Sequence, residues 1–175
     1  MDKNALWEKA IEFHGHKCGG LAVGVQASIY ALELLDAERA EDEELVCIAE
    51  NDACGVDAVQ AILGCTLGKG NLLIHLRGKQ AFSFYNRKNG KSCRLVLRQT
   101  PDKTKEERQN WLYTADCHDV FDVKPVTLPL PEKARIFKSY KCSKCGETTA
   151  ESHIRLENGE YVCLDCADTY ARLDV

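Results

Sequence analysis

A chain of 175 residues with 45% hydrophobic side chains is long enough for one domain with a full core, or for one domain and a small appendage. Its formal net charge of −4 at pH 7 gives no basic surface for nucleic acid, and no apolar run is long enough to cross a bilayer. The start of the chain has an acidic second residue and no hydrophobic core segment, so we expect no signal peptide and a cytoplasmic protein.

The first predicted elements are two helices on either side of a glycine-rich stretch. Residues 4–13 place their apolar side chains on one face, and Asn4 suits the N-cap. Residues 20–35 carry an apolar stripe and a second face of small side chains that permits close packing. Between the helices, FHGHKCGG at 13–20 holds two histidines and one cysteine within five residues. Glycine-flanked imidazoles are poor material for a core.

The middle of the chain alternates between strand and helix patterns. Residues 44–50 form a continuous apolar run of the kind found in strands that are buried on both faces. Asn89-Gly90 favours a tight hairpin turn. The remaining predicted elements are a helix at 55–64, strands at 72–79, 80–87 and 92–99, and a helix from Pro101 to about 116.

A proline-containing segment marks the predicted domain boundary. Pro125, Pro129 and Pro131 suit an extended connector and neither a helix nor a central strand. We therefore expect a core domain at 1–122, a linker at 123–139 and a small module at 140–175.

The C-terminal module carries two Cys-x-x-Cys pairs, Cys142/Cys145 and Cys163/Cys166. Two such pairs supply four thiolates for tetrahedral Zn²⁺. A module this small rarely buries enough apolar surface to fold without a metal, so the zinc is interpreted as structural. A knuckle, a hairpin and then a helix carrying the second pair is the order of a treble-clef finger, and it resembles the DksA/TraR-type zinc finger.

The charge of this module favours contacts with protein over contacts with DNA. Residues 138–175 contain five basic and seven acidic side chains, which gives a net charge of −2. Phosphate neutralisation requires the opposite sign. We therefore expect no DNA binding.

The other cysteines and the N-terminal histidines suggest a second site. Cys18 and Cys54 each stand at the start of a predicted helix, where the helix dipole favours thiolate. If both helix starts lie at one end of the sheet, His14, His16, Cys18 and Cys54 form a pocket suited to Zn²⁺ or another divalent metal. The alternative for each cysteine is a small buried side chain.

Four further cysteines and one glycine-rich loop are interpreted more simply. Cys47 and Cys93 are predicted core residues, and Cys65 and Cys117 are left open. The loop at 64–71 lacks the P-loop spacing. Its backbone amides and Lys69 could bind an anion. An equally good interpretation is a tight turn that leads into a strand.

Three longer motifs resemble a known family. FHGHKCGGLAVGVQAS, ENDACGVDAVQAILGCTLGKGNL and GKQAFSFYNRKNGKSCRLVL are similar to the FmdE family, which takes its name from molybdenum formylmethanofuran dehydrogenase. The family pattern has proline where this chain has Gly19. The resemblance implies an α+β fold, a mixed sheet flanked by helices, and a metal-binding active site at His16, Cys18 and Cys54. His14 would lie close by, with Asp57 and the 64–70 loop lining the site.

Two functional hypotheses follow. The first is a zinc-dependent enzyme or accessory protein in one-carbon or molybdoenzyme metabolism, with Cys18 and Cys54 in the active site and Asp57 or His14 as acid/base. The second is a non-enzymatic protein whose finger docks to a larger complex. We also expect a homodimer and contact with an oxidoreductase complex.

Overall fold

The computed structural model describes residues 2–99 and 102–168 of the chain. The chain divides into two compact units, Met1–Ala134 and Arg135–Val175. Among the described residues, no helix combines the length and the apolar character that a membrane span requires.

Unit 1 is a mixed five-stranded sheet with helices packed against it. Strands β1 and β2 are parallel and the other neighbours are antiparallel, in the order β2-β1-β3-β4-β5. The predicted α+β fold with a mixed sheet flanked by helices is therefore confirmed. The elements are α1 Lys3–His14, α2 Gly19–Leu34, β1 Leu45–Ala49, α3 Gly55–Leu63, β2 Leu72–Ile74, β3 Ala81–Asn86, β4 Ser92–Leu97, α4 Lys105–Thr114, α5 Cys117–Val120 and β5 Phe121–Lys124.

Every residue of β1 is buried because both faces of the sheet are covered. Leu45, Cys47 and Ala49 face the helices and belong to the main core. Val46 and Ile48 point to the opposite face and form a smaller cluster with Tyr85. The interpretation of Cys47 and Cys93 as core residues is confirmed, and Cys65 and Cys117 are buried as well. Burial raises the pKa of Cys65 to about 12 and that of Cys117 to about 11, so both stay thiols.

The small-residue face of α2 packs directly on the start of α3. A Cβ atom at Gly24 would lie 2.1 Å from the carbonyl oxygen of Gly55, so neither backbone leaves room for a side chain at this crossing. Gly20, one turn earlier, faces the side chain of Cys54. This close approach brings the first turns of α2 and α3 together.

Two helix starts differ from the predicted ones because of the caps. The side chain of Asp2 accepts hydrogen bonds from the amides of Asn4 and Ala5, so Asp2 and not Asn4 caps α1. Helix α4 begins at Lys105 because Thr104 and Glu107 form a reciprocal capping box. Pro101, the predicted start of this helix, lies outside the described residues.

An ion pair is buried on the face of the sheet that is turned away from the helices. The Arg94 guanidinium donates to both carboxylate oxygens of Glu50, at 2.6 Å and 2.8 Å. The side chains are only 12% and 7% exposed. The hydrogen bonds from Arg94 hold the pKa of Glu50 below its ordinary value.

Replacing Arg94 by methionine should lower the free energy of unfolding by about 3 kcal/mol near neutral pH, because it leaves a buried carboxylate without its partner. In the wild type the pKa of Glu50 is depressed, so this stabilisation is present above the ordinary pKa and is lost as pH falls through the folded-state pKa. Urea denaturation at about pH 7 and about pH 4 should show the deficit of the variant shrinking in acid.

The control for this prediction is Arg98→Met, which breaks the exposed ion pair between Arg98 and Asp122. Its effect should stay below about 1 kcal/mol. A deficit in Arg94→Met that is no larger than in Arg98→Met, or one that is independent of pH, would contradict the prediction.

The predicted linker at 123–139 is not a free connector along its whole length. Strand β5 includes residues 123 and 124 and pairs with β4. Beyond it, the Tyr85 hydroxyl donates to the Leu128 carbonyl at 2.7 Å, and Arg87 donates to the Pro131 carbonyl at 2.7 Å. These bonds hold the proline segment on unit 1, and the division falls after Ala134.

Unit 2 contains two short hairpins. Strands β6 Ser139–Lys141 and β7 Thr148–Ala150 flank the first Cys-x-x-Cys pair, and the 3₁₀ turn Glu151–His153 follows. Strands β8 Ile154–Glu157 and β9 Glu160–Cys163 form the second hairpin around Asn158 and Gly159, which both have positive φ. Cys166 lies in the turn after β9. The helix expected after it lies mostly outside the described residues.

Candidate metal centres

The first centre forms where α1 ends and α2 begins. His14 is the last residue of α1, and Gly15 turns the chain with a φ of 92°. Cys18 is the N-cap of α2, and its Sγ accepts a hydrogen bond from the Leu21 amide at 3.2 Å. The turn returns the chain on itself, so the His14 Nε2 atom lies 3.7 Å from the Cys18 Sγ.

A carboxylate of α3 orients the first histidine. The Nδ1 atom of His14 lies 2.7 Å from an Asp57 oxygen, and this hydrogen bond raises the pKa of His14. With Nδ1 bonded to Asp57, Nε2 is the ring nitrogen that faces Cys18. The ring of His16 lies 4.6 Å from the ring of His14. Ligand atoms of His14, His16 and Cys18 all lie within 4.8 Å of one another.

Cys54, at the start of α3, lies near Cys18 but outside the group of three residues whose ligand atoms fall within 4.8 Å of one another. The absence of a side chain at Gly20 makes room for it, because a Cβ atom there would lie 3.1 Å from the Cys54 Cβ. Burial and the hydrogen bond to Cys18 raise the pKa of Cys54. Burial acts to raise the pKa of Cys18 as well, but hydrogen bonds from the Leu21 amide, Cys54 and His14 lower it overall. The electrostatics therefore make Cys18 the more acidic of the two thiols.

Not every residue predicted to line this site lies near it. Asp57 does, but the 64–70 loop follows the far end of α3, which at nine residues is about 14 Å long. The Lys69 ammonium group donates hydrogen bonds to the carbonyls of Glu41 and Asp42, at 3.2 Å and 3.1 Å. The tight-turn alternative for this loop therefore agrees with the structure better than an anion site does.

The second centre is the cysteine cluster of unit 2. Ligand atoms of Cys142, Cys145, Cys163 and Cys166 all lie within 4.8 Å of one another. Amide hydrogen bonds from Cys145 and Cys163 lower the pKa of Cys142 to about 6. Hydrogen bonds with Cys163 and Cys145 raise the pKa of Cys166 to about 12. Four cysteines this close cannot all be thiolates without strong mutual repulsion. A bound soft divalent cation would offset that repulsion and stabilise the thiolate forms.

A third group lies outside the predicted sites. The Nε2 atom of His118 lies 2.8 Å from a carboxylate oxygen of Glu33, and its Nδ1 contacts Asp116. Ligand atoms of Glu33, Cys117 and His118 lie within 4.8 Å of one another. No local pattern could reveal this group, because 85 positions separate Glu33 from His118. The hydrogen bonds to the two carboxylates raise the pKa of His118, as in a surface ion pair.

Comparison with known proteins identifies the family of this chain. Residues 13–121 match the family model described as "FmdE, Molybdenum formylmethanofuran dehydrogenase operon". A protein of Archaeoglobus fulgidus named "Probable S-adenosyl-L-methionine-binding protein" is 29% identical over an alignment of 195 positions. The alignment covers 93% of this chain and 52% of the relative. This chain thus spans about half the length of that relative.

A similar solved structure is that of an FmdE-like protein from Syntrophus aciditrophicus, described as related to tungsten formylmethanofuran dehydrogenase. It superposes with a TM-score of 0.68 at 24% identity, and the match covers 93% of this chain and 90% of that one. This likeness concerns the fold, which both chains share.

Proposed function

This chain belongs to the FmdE family, and from that premise we propose that unit 1 binds Zn²⁺ or a similar divalent metal. The metal centre would act on a small substrate in one-carbon or molybdoenzyme metabolism. Unit 2 would hold a separate, structural zinc. The observation that supports the proposal is the convergence of His14, His16 and Cys18, whose ligand atoms lie within 4.8 Å of one another. Cys54 interacts electrostatically with Cys18 but is not part of that group.

The donor set fits such an ion. Two imidazoles and one or two thiols are ligands that Zn²⁺ accepts, and three protein ligands leave one position for water or substrate. The Asp57 carboxylate would fix the orientation of His14, as outer-shell carboxylates do for metal-bound histidines. When bound, the metal supplies Lewis-acid polarisation of an oxygen atom of the substrate or of water.

The side chains divide the remaining work. His14, His16 and Cys18 would bind the metal ion. Cys54 would serve either as a fourth ligand or as a proton donor beside the open coordination position. Asp57 is 38% exposed and bonded to His14, so the pair connects the site with solvent. Such a pair can accept or release a proton near the substrate.

The alternative is an interaction protein whose finger docks to a larger oxidoreductase complex. The exposed apolar side chains of unit 2 support it, since Leu156 is 71% exposed and Tyr161 is 50% exposed. The two functions differ in whether the metal of unit 1 would stay bound while it exchanges ligands or would be released. An enzyme keeps an open position that exchanges ligands, whereas an interaction or delivery protein releases the whole ion.

The experiment that tests the proposal is the metal content of the full chain and of Cys18→Ala and Cys54→Ala. We expect two metal ions per wild-type chain and one in Cys18→Ala, because the finger keeps its own. Cys54→Ala should lose the core ion where Cys54 is the fourth ligand and keep it where Cys54 is the proton donor. Gentle chelation of the wild type should remove the core ion first, since that site has fewer thiolate ligands and an open position. Both variants should melt close to the wild type, with an effect of about 1 kcal/mol.

The control is Cys47→Ser, which places a hydroxyl in the fully buried strand β1 without a partner. It should melt lowest and keep both metals. If Cys18→Ala and Cys54→Ala keep two ions, or melt far below Cys47→Ser, these residues are structural and the proposal fails.

A further inference from the structure

A group of basic side chains lies beside the buried Glu50–Arg94 pair. His75, Arg77 and Lys79 alternate along the segment after β2, and together with Glu50 and Arg94 they line a cavity of about 250 Å³. We call it the basic cavity. It opens on the sheet face away from α2 and α3, so it is separate from the His14–Cys18 centre.

The main chain fixes this basic segment in place. The Glu50 carbonyl accepts hydrogen bonds from the amides of Arg77 and Lys79, at 2.9 Å and 3.2 Å. The His75 amide donates to the Ala49 carbonyl at 2.8 Å. These bonds tie the segment to the carboxyl end of β1, so the basic side chains surround the cavity without needing salt bridges to hold them.

The charges of the basic cavity do not cancel. Glu50 uses both carboxylate oxygens on Arg94, so that pair is neutral. Within the described part of the chain, the Arg77 guanidinium bonds only to the carbonyl of Leu76, and Lys79 makes no side-chain hydrogen bond or ion pair. Two positive charges therefore remain on a concave wall of a protein whose net charge is −4.

The rest of the lining comes from the segment after β5, and the volume of the cavity suits a small ligand. Thr127 and Leu128 line it, and the bond from the Tyr85 hydroxyl to the Leu128 carbonyl anchors that segment at 2.7 Å. A volume of about 250 Å³ lies below the range of about 300–1,000 Å³ that drug-sized ligands occupy. Guanidinium and ammonium groups around such a space are the donors that oxyanions bind.

From this arrangement we propose that the basic cavity binds the oxyanion group, phosphate or carboxylate, of a small metabolite. Arg77 and Lys79 supply the charge, and the Glu50–Arg94 pair forms a rigid floor. Anion binding at the basic cavity would need no metal in unit 1.

The test is calorimetric titration of the full chain with inorganic phosphate and, separately, with acetate at constant ionic strength. We expect saturable binding of at least one anion, weakened roughly tenfold or more in Arg77→Gln/Lys79→Gln. Both side chains are exposed, so this double variant should fold. Tighter binding of phosphate than of acetate would assign a phosphoryl ligand, and equal or tighter binding of acetate would assign a carboxylate.

The matched control is Lys103→Gln/Lys105→Gln, which removes the same charge from exposed positions at the start of α4. It should bind the anions as the wild type does, because general charge attraction falls off with distance and salt. Equal weakening in the control, unchanged binding in the cavity variant, or no binding of either anion to the wild type would each overturn the proposal.

Discussion

Cys163→Ser should abolish the zinc binding proposed for unit 2 and unfold that unit while unit 1 stays folded. The buried apolar cluster of unit 2 contains only Val162 beside the cysteines Cys142 and Cys163 in the described residues. A structural zinc site contributes about 10–16 kcal/mol of apparent folding free energy, far more than one buried valine replaces. Amide spectra and limited proteolysis should show loss of β6–β9 alone, and metal analysis should show one zinc fewer.

The control for this variant is Cys18→Ser, which makes the same chemical change outside unit 2. It should leave unit 2 resistant to protease and its zinc bound. Protease resistance of unit 2 in Cys163→Ser without zinc would show that the hairpins fold by themselves. Loss of structure throughout the chain would show that unit 2 is part of the main core.

Gly24→Ala should prevent unit 1 from folding or lower its free energy of unfolding by about 3 kcal/mol or more. The added Cβ would lie 2.1 Å from the Gly55 carbonyl oxygen and 2.5 Å from the Gly55 Cα. These are backbone atoms that no rotamer change can move, so the helices α2 and α3 must separate. Because native stability is only about 5–15 kcal/mol, soluble yield and thermal melting are the measurements.

Gly19→Ala is the matched control in the same helix. The nearest atom to its added Cβ is the flexible Gln109 Cγ at 3.9 Å, which is an ordinary contact. Alanine favours the helix by up to about 1 kcal/mol over glycine, so this variant should be neutral or slightly more stable. If Gly24→Ala has the same melting temperature as Gly19→Ala, helices α2 and α3 do not approach each other this closely. The core metal content should fall with any separation, because Cys18 and Cys54 stand at the two helix starts.

Features that are encoded locally could be predicted from the sequence. The strand at 44–50 and the helix at 55–64 were recognisable because periodicity and an apolar run need only neighbouring residues. The two Cys-x-x-Cys pairs indicated the cysteine cluster of unit 2 because their spacing is typical of a metal-ligand set. The family motifs likewise indicated the fold class before any contact was known.

The candidate core site was predictable only in part. That His14 and Cys18 share a site follows from their separation of four positions. The sequence could place Asp57 nearby only through the family resemblance, and Cys54 only on the condition that both helix starts lie at one end of the sheet. Their actual contacts depend on the Gly24–Gly55 crossing, where residues 31 positions apart meet backbone to backbone.

Other features were decided by the tertiary structure alone. The buried Glu50–Arg94 pair joins residues 44 positions apart, and the Glu33–His118 contact joins residues 85 apart. No local pattern marks such partners, since a charged residue is expected to be solvent-exposed until the sheet register places its counter-ion beside it. The sequence by itself therefore determined most helices and strands, the family and the cysteine cluster of unit 2. The packing of α2 on α3 and the register of β1, β3 and β4 decided which polar side chains meet, because burial couples residues through space and not along the chain.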